Sequence, residues 1–257
     1  MTKNQHYIPR FYQQYWECEH KGHLWLWDKN YSKQEIRHHS IKKNCSGEYI
    51  YEGDIQNPDN AIEYWYGKFE TRCALRYTKF IKSRFCLKRV SLEQKNVICH
   101  LYAHLSARNR INIYENTQNR AIASRFTLGV MDEDVDRRYM LNLVALTESG
   151  TIKESTSTFA KELMTYKMQI LISDKPNIVF CDNVIRQIHS MEEYFFPLCP
   201  TMLAHFIKSD EVADGEVRKI TETEYSRFID SYIASDYVKR LYASNKYTLE
   251  EIRNKYI

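Results

Sequence analysis

Apolar residues recur at helical spacing through two long segments of the chain. In residues 60–83, positions Ile62, Phe69, Cys73 and Phe80 fall on one helix face. Residues 91–110 predict a second helix, in which Ser91 is the N-cap and Gln94 completes a capping box. Helical patterns also occur in residues 112–126, 131–148 and 158–166. The pattern therefore predicts a mainly helical core.

Shorter segments on both sides of these helices have strand character. Residues 22–30 and 48–54 predict two strands, and the polar, basic stretch between them is either a hairpin arm or a loop. Residues 167–182 predict two strands around a turn, and residues 196–208 predict a further strand. Pro197 and Pro200 suit an edge position or a rigid turn. Residues 221–244 and 248–257 return to a helical pattern.

The order of these segments predicts an α+β fold, because regular alternation of strands and helices is absent. We expect a mainly helical core with a small, mostly antiparallel sheet from residues near 22–54 and 167–208. Glycine and proline are scarce, at 7 and 5 residues, which argues against linkers. A single domain is therefore predicted over residues 1–257. Its parts are an N-terminal motif and hairpin (1–57), a helical core (58–166), strands (167–208) and C-terminal helices (221–257).

Charge is distributed unevenly along the chain. The net charge is +4 at pH 7, yet residues 1–130 contain 21 Lys and Arg against 12 Asp and Glu. Such asymmetry predicts an anionic partner, such as RNA, for the N-terminal half. An operon-encoded protein partner and the oligomeric state are left open by the sequence.

Cysteine usage and hydropathy indicate the compartment. The seven cysteines include no CxxC pair, so a zinc finger is not predicted, and free thiols suit a reducing environment. No run of about 18 apolar residues exists to span a membrane, and no signal-peptide pattern is present. We therefore expect a cytoplasmic protein that has no membrane partner.

The segment "HYIPRFY" contains three candidate functional residues, which are His6, Arg10 and Tyr12. Arg108 lies beside the apolar stripe of the helix at 91–110, and a buried arginine requires a carboxylate partner. Glu63 and Glu70 are one heptad apart on the helix at 60–83. We expect one of these glutamates to pair with Arg10 or Arg108.

The helix at 60–83 also has a basic edge. Its members are Lys68, Arg72, Arg76 and Lys79. Basic residues at this spacing share one flank of a helix, where they contact either an anionic ligand or only solvent. Lys68, Arg72 and Arg76 are therefore candidate binding residues. Tyr12, Glu70 and His104 are further candidate binding residues.

The motifs occur in a recognisable order. "HYIPRFY", "IEYWYGKFE", "SARNR", "ISDKP", "FPLCP" and "SYIASDYVKRLYAS" together resemble the bacterial domain of unknown function 4238 family, from about residue 5 to 245. The motif positions are His6, Pro9, Arg10, Tyr12, Glu63, Glu70, Arg108, Asp174, Pro176, Pro197 and Pro200. Gln13, Lys175 and Arg110 depart from the family pattern. The resemblance implies a bacterial, cytoplasmic protein, and it assigns no activity.

The first functional hypothesis is an RNase-like hydrolase in phage defence or a toxin system, acting without a metal cofactor. His6 would be the general acid/base, and Arg10 and Arg108 would hold a phosphate. Glu63, Glu70 or Asp174 would orient the histidine. Tyr12 would stack on a base.

Two alternatives use the same residues. In the first, His6, Arg10, Glu63 and Arg108 form a buried structural network in a non-enzymatic binding or sensor module. The second is a metal-dependent hydrolase that combines His6, His100 or His104 with Glu63 or Asp174. His100 and His104 have the spacing of two ligands on one helix turn. A divalent metal is not the favoured interpretation, because the glutamate of the zinc-protease motif is replaced by Leu101.

Overall fold

The structure is a computed structural model that describes residues 4–30, 35–48, 51, 56–58, 60–108, 151–183, 193–235 and 238–256. The helices predicted for 112–126 and 131–148 lie outside these residues, as does most of the strand predicted for 48–54. Helices and mostly antiparallel strands are both present in the described part of the chain. The predicted α+β class is confirmed.

Strands precede and follow the long helices. In the described residues the helices are α1 (Arg10–Gln13), α2 (Ala61–Lys82), α3 (Leu92–Ala107), α4 (Thr151–Thr165), α5 (Glu222–Ala234) and α6 (Lys246–Tyr256). Short 3-10 helices occur at Gln14–Trp16 and Ser83–Cys86. The strands are β1 (Asn4–His6), β2 (His23–Asp28), β3 (Ile36–Ser40), β4 (Ser46–Glu48), β5 (Lys167–Ile172), β6 (Phe180–Cys181), β7 (Glu193–Cys199), β8 (Met202–Ile207), β9 (Val217–Lys219) and β10 (Arg240–Ala243).

The strands form more than the one small sheet expected from the sequence. One four-stranded sheet has the order β3-β2-β10-β6, a second has the order β7-β8-β5-β9, and β1 pairs with β4. Only the pairing of β5 with β9 is parallel among these strands. The sequence therefore predicted the direction of pairing correctly but not the division into separate sheets.

A local sequence signal places the start of α3 correctly. The Ser91 hydroxyl accepts from the Gln94 backbone N–H at 3.2 Å, and the Gln94 side chain accepts from the Ser91 N–H at 2.8 Å. The predicted capping box of α3 is therefore confirmed. The inward side of α2 buries Ile62, Tyr66, Cys73, Tyr77, Phe80 and Ile81.

The helix predicted for residues 221–244 is wrong in its second half. α5 ends at Ala234, and β10 lies between β2 and β6. Leu241 is paired with Trp27 of β2 and with Cys181 of β6. Leu241, Tyr242 and Ala243 are all buried by packing and pairing with these distant strands, which a local pattern does not reveal.

Residues 167–208 also fold differently from the prediction. β5 and β6 flank the predicted turn but belong to different sheets. Residues 196–208 were predicted as one strand, whereas the chain turns at Pro200–Thr201 between β7 and β8. Pro197 lies in the edge strand β7, where a missing N–H is tolerated. The basic stretch after β2 forms the hairpin arm β3.

The β7-β8-β5-β9 sheet is covered on both faces. One set of its residues, including Ile170, Phe196 and Phe206, joins the cluster formed with α2, α3 and α4. The alternate residues Leu171, Phe195 and Leu203 join a second cluster with α5, α6 and β10. One face of this sheet is therefore covered by α2, α3 and α4. The opposite face is covered by α5, α6 and β10 of the other sheet.

Tyr12 connects the N-terminal motif to this core. Its side chain is fully buried, and its ring stacks on Phe196 at a centroid distance of 5.9 Å. The hydroxyl donates to the backbone carbonyl of Pro197 at 2.6 Å. The carbonyl of Leu198 is likewise an acceptor, from the hydroxyl of Tyr77. Two tyrosines thus satisfy carbonyls along the edge strand β7.

We expect Tyr12→Phe to lower the free energy of unfolding by about 1–2 kcal/mol, because it leaves the buried Pro197 carbonyl without its donor. Urea denaturation measures this change. Tyr64→Phe is the matched control, since Tyr64 is 67% exposed, and it should change stability by less than about 0.5 kcal/mol. Equal effects of the two variants would contradict the core role of Tyr12.

Candidate functional site

Arg108 is the most deeply buried charged side chain of the candidate cluster. It follows α3 directly, and its backbone N–H donates to the carbonyl of His104 at 3.0 Å. The residue is only 1% exposed. Its position at the helix end directs the guanidinium towards α2 and the N-terminal motif.

The Arg108 guanidinium has three polar partners. One terminal nitrogen donates to the Glu70 carboxylate, and the other donates to the backbone carbonyl of His6. Nε donates to the Tyr51 hydroxyl at 3.3 Å. The guanidinium carbon also lies 4.1 Å from the centroid of the Tyr66 ring, within the range of a cation–π interaction.

These contacts keep Arg108 charged. Burial acts to lower the pKa of Arg108, but Tyr51, Glu70 and Tyr66 outweigh it and raise that pKa above its usual value. A buried cation without such partners would cost several kcal/mol. The network therefore stabilises a charge that is not accessible to a phosphate group.

The same network fixes β1. The Tyr51 hydroxyl also donates to the backbone carbonyl of His6 at 3.3 Å. The backbone N–H of Tyr51 donates to the Gln5 side chain at 2.8 Å. The His6 ring Nε2 lies 3.2 Å from the carbonyl of Lys42. His6 therefore contributes its backbone carbonyl to the network, whereas the sequence motif predicts a role for its imidazole.

The His6 ring and Arg10 lie at the outer side of this arrangement. Burial lowers the pKa of His6, and the positive charges of Arg10 and Arg108 lower it further, against a hydrogen bond to Lys42 that raises it. Arg10 is exposed at the first residue of α1. In the described part of the chain, Arg10 forms no ion pair with Glu63 or Glu70.

His104 lies beside the network among aromatic rings. Its ring stacks on Phe69 at a centroid distance of 3.4 Å and on Trp65 at 5.3 Å. Burial lowers the pKa of His104 to about 3, with further lowering by the charges of Arg108 and His100. A neutral, stacked imidazole fits a core position and does not fit the binding role predicted for His104.

Of the two predicted glutamates, Glu70 is the partner of Arg108. Glu63 is partly buried in the first turn of α2. Its negative charge raises the pKa of both Tyr51 and Tyr66, although burial is the main cause in each case. Glu63 therefore belongs to the same electrostatic neighbourhood.

Asp174 and Tyr12 are placed elsewhere. The Asp174 carboxylate is 71% exposed and accepts from Lys219 at 2.8 Å. It lies in the turn after β5, and in the described residues no contact connects it to His6 or Arg108. The stacking role predicted for Tyr12 is incompatible with its full burial. The predicted catalytic set is therefore only partly brought together.

The predicted basic edge of α2 faces outwards. Lys68, Arg72, Arg76 and Lys79 are all exposed. Lys68 Nζ lies 4.4 Å from the ring centroid of Tyr64, an exposed aromatic one turn earlier. Among the described carboxylates, none forms an ion pair with these four cations.

Two tyrosines of the network were missed from the sequence. Tyr51 and Tyr66 are 2% and 0% exposed and their ring centroids are 5.3 Å apart. Tyr66 has a recognisable signal, because it is three and four residues from Glu63 and Glu70 on α2. Tyr51 lies in the stretch predicted as a strand (48–54), and no local pattern there links it to Arg108.

A second polar group was also missed. Burial raises the pKa of Asp182 to about 6, although the backbone amides of Arg240 and Lys239 favour the ionised carboxylate. Both amides donate to Asp182 at 3.1 Å. Asp182 follows the short apolar strand β6, which is the available sequence signal.

Three metal-ligating side chains that are distant in sequence from the His100–His104 pair lie close together. Within the described residues, the side chains that approach closely enough to share an ion belong to Cys18, Glu19 and His38. Their ligating atoms lie within 4.8 Å of one another. None of these three residues belongs to the metal-ligand sets predicted from the sequence.

The structure is that of an α+β protein in which Arg108, directly after α3, is hydrogen-bonded to the N-terminal motif and to α2. The chain belongs to the family described as "Protein of unknown function (DUF4238)", whose family model matches residues 4–247. No curated protein and no solved structure matches the chain. Among the described helices, none is both long enough and apolar enough to cross a membrane.

We expect Glu70→Gln to lower the free energy of unfolding by about 1–3 kcal/mol, because the buried Arg108 charge loses its counter-charge. Urea denaturation followed by circular dichroism measures the change. Glu211→Gln removes an equal charge from an exposed site and should be nearly neutral. An unchanged free energy of unfolding in Glu70→Gln would show that the ion pair does not stabilise the fold.

We expect His104→Phe to reduce the loss of stability in acid. Between the ordinary pKa of 6.5 and about 3, the unfolded chain binds a proton that folded His104 does not, so stability falls as pH falls. From pH 7 to pH 5 the variant should gain about 2 kcal/mol relative to the wild type.

Urea denaturation of both proteins at pH 7, 6 and 5 measures this difference, in which the titration of other groups cancels. Tyr64→Phe, at the surface, serves as the control and should follow the wild type. Parallel pH profiles for His104→Phe and the wild type would contradict a depressed pKa.

Proposed function

We propose that this protein binds single-stranded RNA through the exposed basic side of α2. The observation that supports the proposal most directly is the row of four exposed cations that lack a carboxylate partner among the described residues. From Lys68 to Lys79 the row extends about 16 Å along the helix. Phosphate groups along a strand would be neutralised by such a row.

Two apolar side chains extend the same surface. Tyr64 and Leu75 are 67% and 64% exposed, and both lie along the basic side of α2. An exposed tyrosine ring provides a stacking surface for an unpaired base, and a neighbouring lysine strengthens contact with the phosphate backbone. The combination of cations and a free aromatic ring favours a single strand over a duplex.

The Arg108 network supports this assignment indirectly. It holds α2 against α3 through Glu70, on the side of the helix opposite the basic row. An arginine that is 1% exposed is not available to clamp a substrate phosphate. We therefore infer that the network orients α2 and that its exposed side makes the contact with RNA.

Triple substitution Lys68→Gln, Arg72→Gln and Arg76→Gln should weaken binding of a fluorescently labelled single-stranded RNA at least about tenfold. Each lost phosphate contact reduces the slope of log affinity against log salt by about 0.7, so the slope should fall by about 2. Fluorescence anisotropy across a salt series measures both quantities.

The matched control is Lys161→Gln, Lys208→Gln and Lys255→Gln, which removes the same charge from exposed positions away from α2. This variant should retain most of the affinity and salt slope. Equal losses in the two triple variants, or no binding by the wild type at low salt, would reject the α2 surface as the RNA site.

RNA hydrolysis is a second candidate function, supported by the position of His6. Its Nε2 faces the Lys42 carbonyl, so in the tautomer that donates this bond Nδ1 can accept a proton. The lowered pKa keeps the ring neutral near pH 7, as a general base requires. The exposed Arg10 is four residues further along the chain and supplies positive charge near it.

Incubation of the same RNA with wild type and with His6→Gln separates hydrolysis from binding. Cleavage by the wild type that disappears in an equally stable His6→Gln protein would support His6 as the base. Binding without cleavage, with or without divalent metal, would reject hydrolysis and leave the binding function intact.

A further inference from the structure

A group of metal-ligating side chains forms where the loop before β2 meets β3. Cys18, Glu19 and His20 lie in this loop, and His38 lies in the middle of β3. The loop is closed by backbone bonds from Cys18 N–H to the His23 carbonyl at 2.8 Å and from His23 N–H to the His20 carbonyl at 2.9 Å. Gly22, with φ of +77°, allows the tight turn.

The distances between the ligating atoms are close to those found in metal sites. The Cys18 thiol, the Glu19 carboxylate and the His38 ring each present one ligand atom, all within 4.8 Å of one another. Glu19 Oε1 lies 3.6 Å from His38 Nε2 and 3.9 Å from His20 Nε2. Around tetrahedral zinc, ligand atoms are about 3.3–3.7 Å apart, so side-chain shifts of about an ångström would close the site.

Trp25 holds two of these side chains in place. Its ring nitrogen donates to Glu19 Oε2 at 3.3 Å, which leaves Oε1 facing the two histidines. Trp25 is also the cross-strand partner of His38, and their ring centroids are 3.7 Å apart. Supporting contacts of this kind orient the ligands of metal sites.

We propose that Cys18, Glu19, His20 and His38 bind a zinc ion. Thiolate and imidazole ligands favour zinc over magnesium or calcium, which prefer oxygen ligands. Cys18, Glu19 and His38 supply three ligands, and His20, whose ring centroid is 4.3 Å from that of His38, supplies the fourth. The Cys18 thiol releases its proton to solvent when the metal binds.

Four protein ligands make this a structural site. Closed tetrahedral sites stabilise a fold, whereas catalytic zinc sites keep one position open for water. The ion would join the loop at residues 18–20 to β3, which is an edge strand of its sheet. It is independent of the RNA contact proposed for α2, because none of its ligands lies on that helix.

Cobalt(II) provides the spectroscopic test on the full chain, after treatment with a chelator and in a phosphine reductant. We expect one equivalent to bind, with visible ligand-field absorption of a tetrahedral site and near-ultraviolet thiolate-to-cobalt absorption. Zinc should displace it. Cys18→Ser should abolish the thiolate band, whereas Cys86→Ser, at an exposed cysteine, should leave it unchanged.

Histidine variants test the remaining ligands. His38→Ala should lower the cobalt affinity at least about tenfold, whereas His39→Ala, the next residue of β3 with its side chain on the other face, should not. His20→Ala should retain the thiolate band with lowered affinity. Unchanged affinity in His20→Ala would remove His20 from the site.

Thermal unfolding without metal distinguishes ligand loss from misfolding. Glu19→Gln provides a second variant at an exposed side chain, and it should melt like the wild type without metal but gain less stability from zinc. No stoichiometric binding by the wild type, or a thiolate band that depends on Cys86 but not on Cys18, would overturn the proposal.

Discussion

The requirement to compensate one buried positive charge organises the centre of this fold. Arg108 ends α3 in a position from which water is almost completely excluded, and an unpaired guanidinium there would be strongly destabilising. Its partners come from α2 and β1, through Glu70 and the His6 carbonyl. Because these groups are distant in sequence, the charge is satisfied only when the three elements are assembled. The interaction thus makes their packing mutually dependent, as a hydrophobic contact of similar size would not.

This dependence also determines what α2 presents to solvent. Residues three or four apart share a side of a helix, so fixing Tyr66 and Glu70 inwards turns Lys68 and Arg72 outwards. The orientation of α2 therefore determines both its contact with Arg108 and the position of the proposed RNA surface. The phosphate-clamping role predicted for Arg108 is not compatible with its burial, and Asp174 is paired with Lys219 at the surface. The contact with Arg108 and the proposed RNA contact consequently lie on opposite sides of α2.

The sequence predicted features whose physical cause is local. The capping box of Ser91 and Gln94 lies within one turn, and the charge of Arg108 beside an apolar stripe required a carboxylate, which limited its partner to two glutamates. Long-range pairing was not accessible in this way. The sequence predicted a helix at β10 because the partners of this strand are distant in the chain, and Trp27 of β2 is more than two hundred residues away. Likewise, the use of the His6 backbone carbonyl as an acceptor cannot be inferred from a side-chain motif.

The Cys18–His38 cluster also depends on strand pairing, which the local sequence does not reveal. Cysteine spacing gave no indication of a metal site, because the ligands come from a loop and from the partner strand of a hairpin. The pairing of Trp25 with His38 sets their relative position, and Trp25 then binds the carboxylate of Glu19. Among the described strands β3 has one neighbour, β2, and edge strands are often protected by additional interactions. An ion that joins the preceding loop to β3 would supply such protection where the hydrophobic core contributes least.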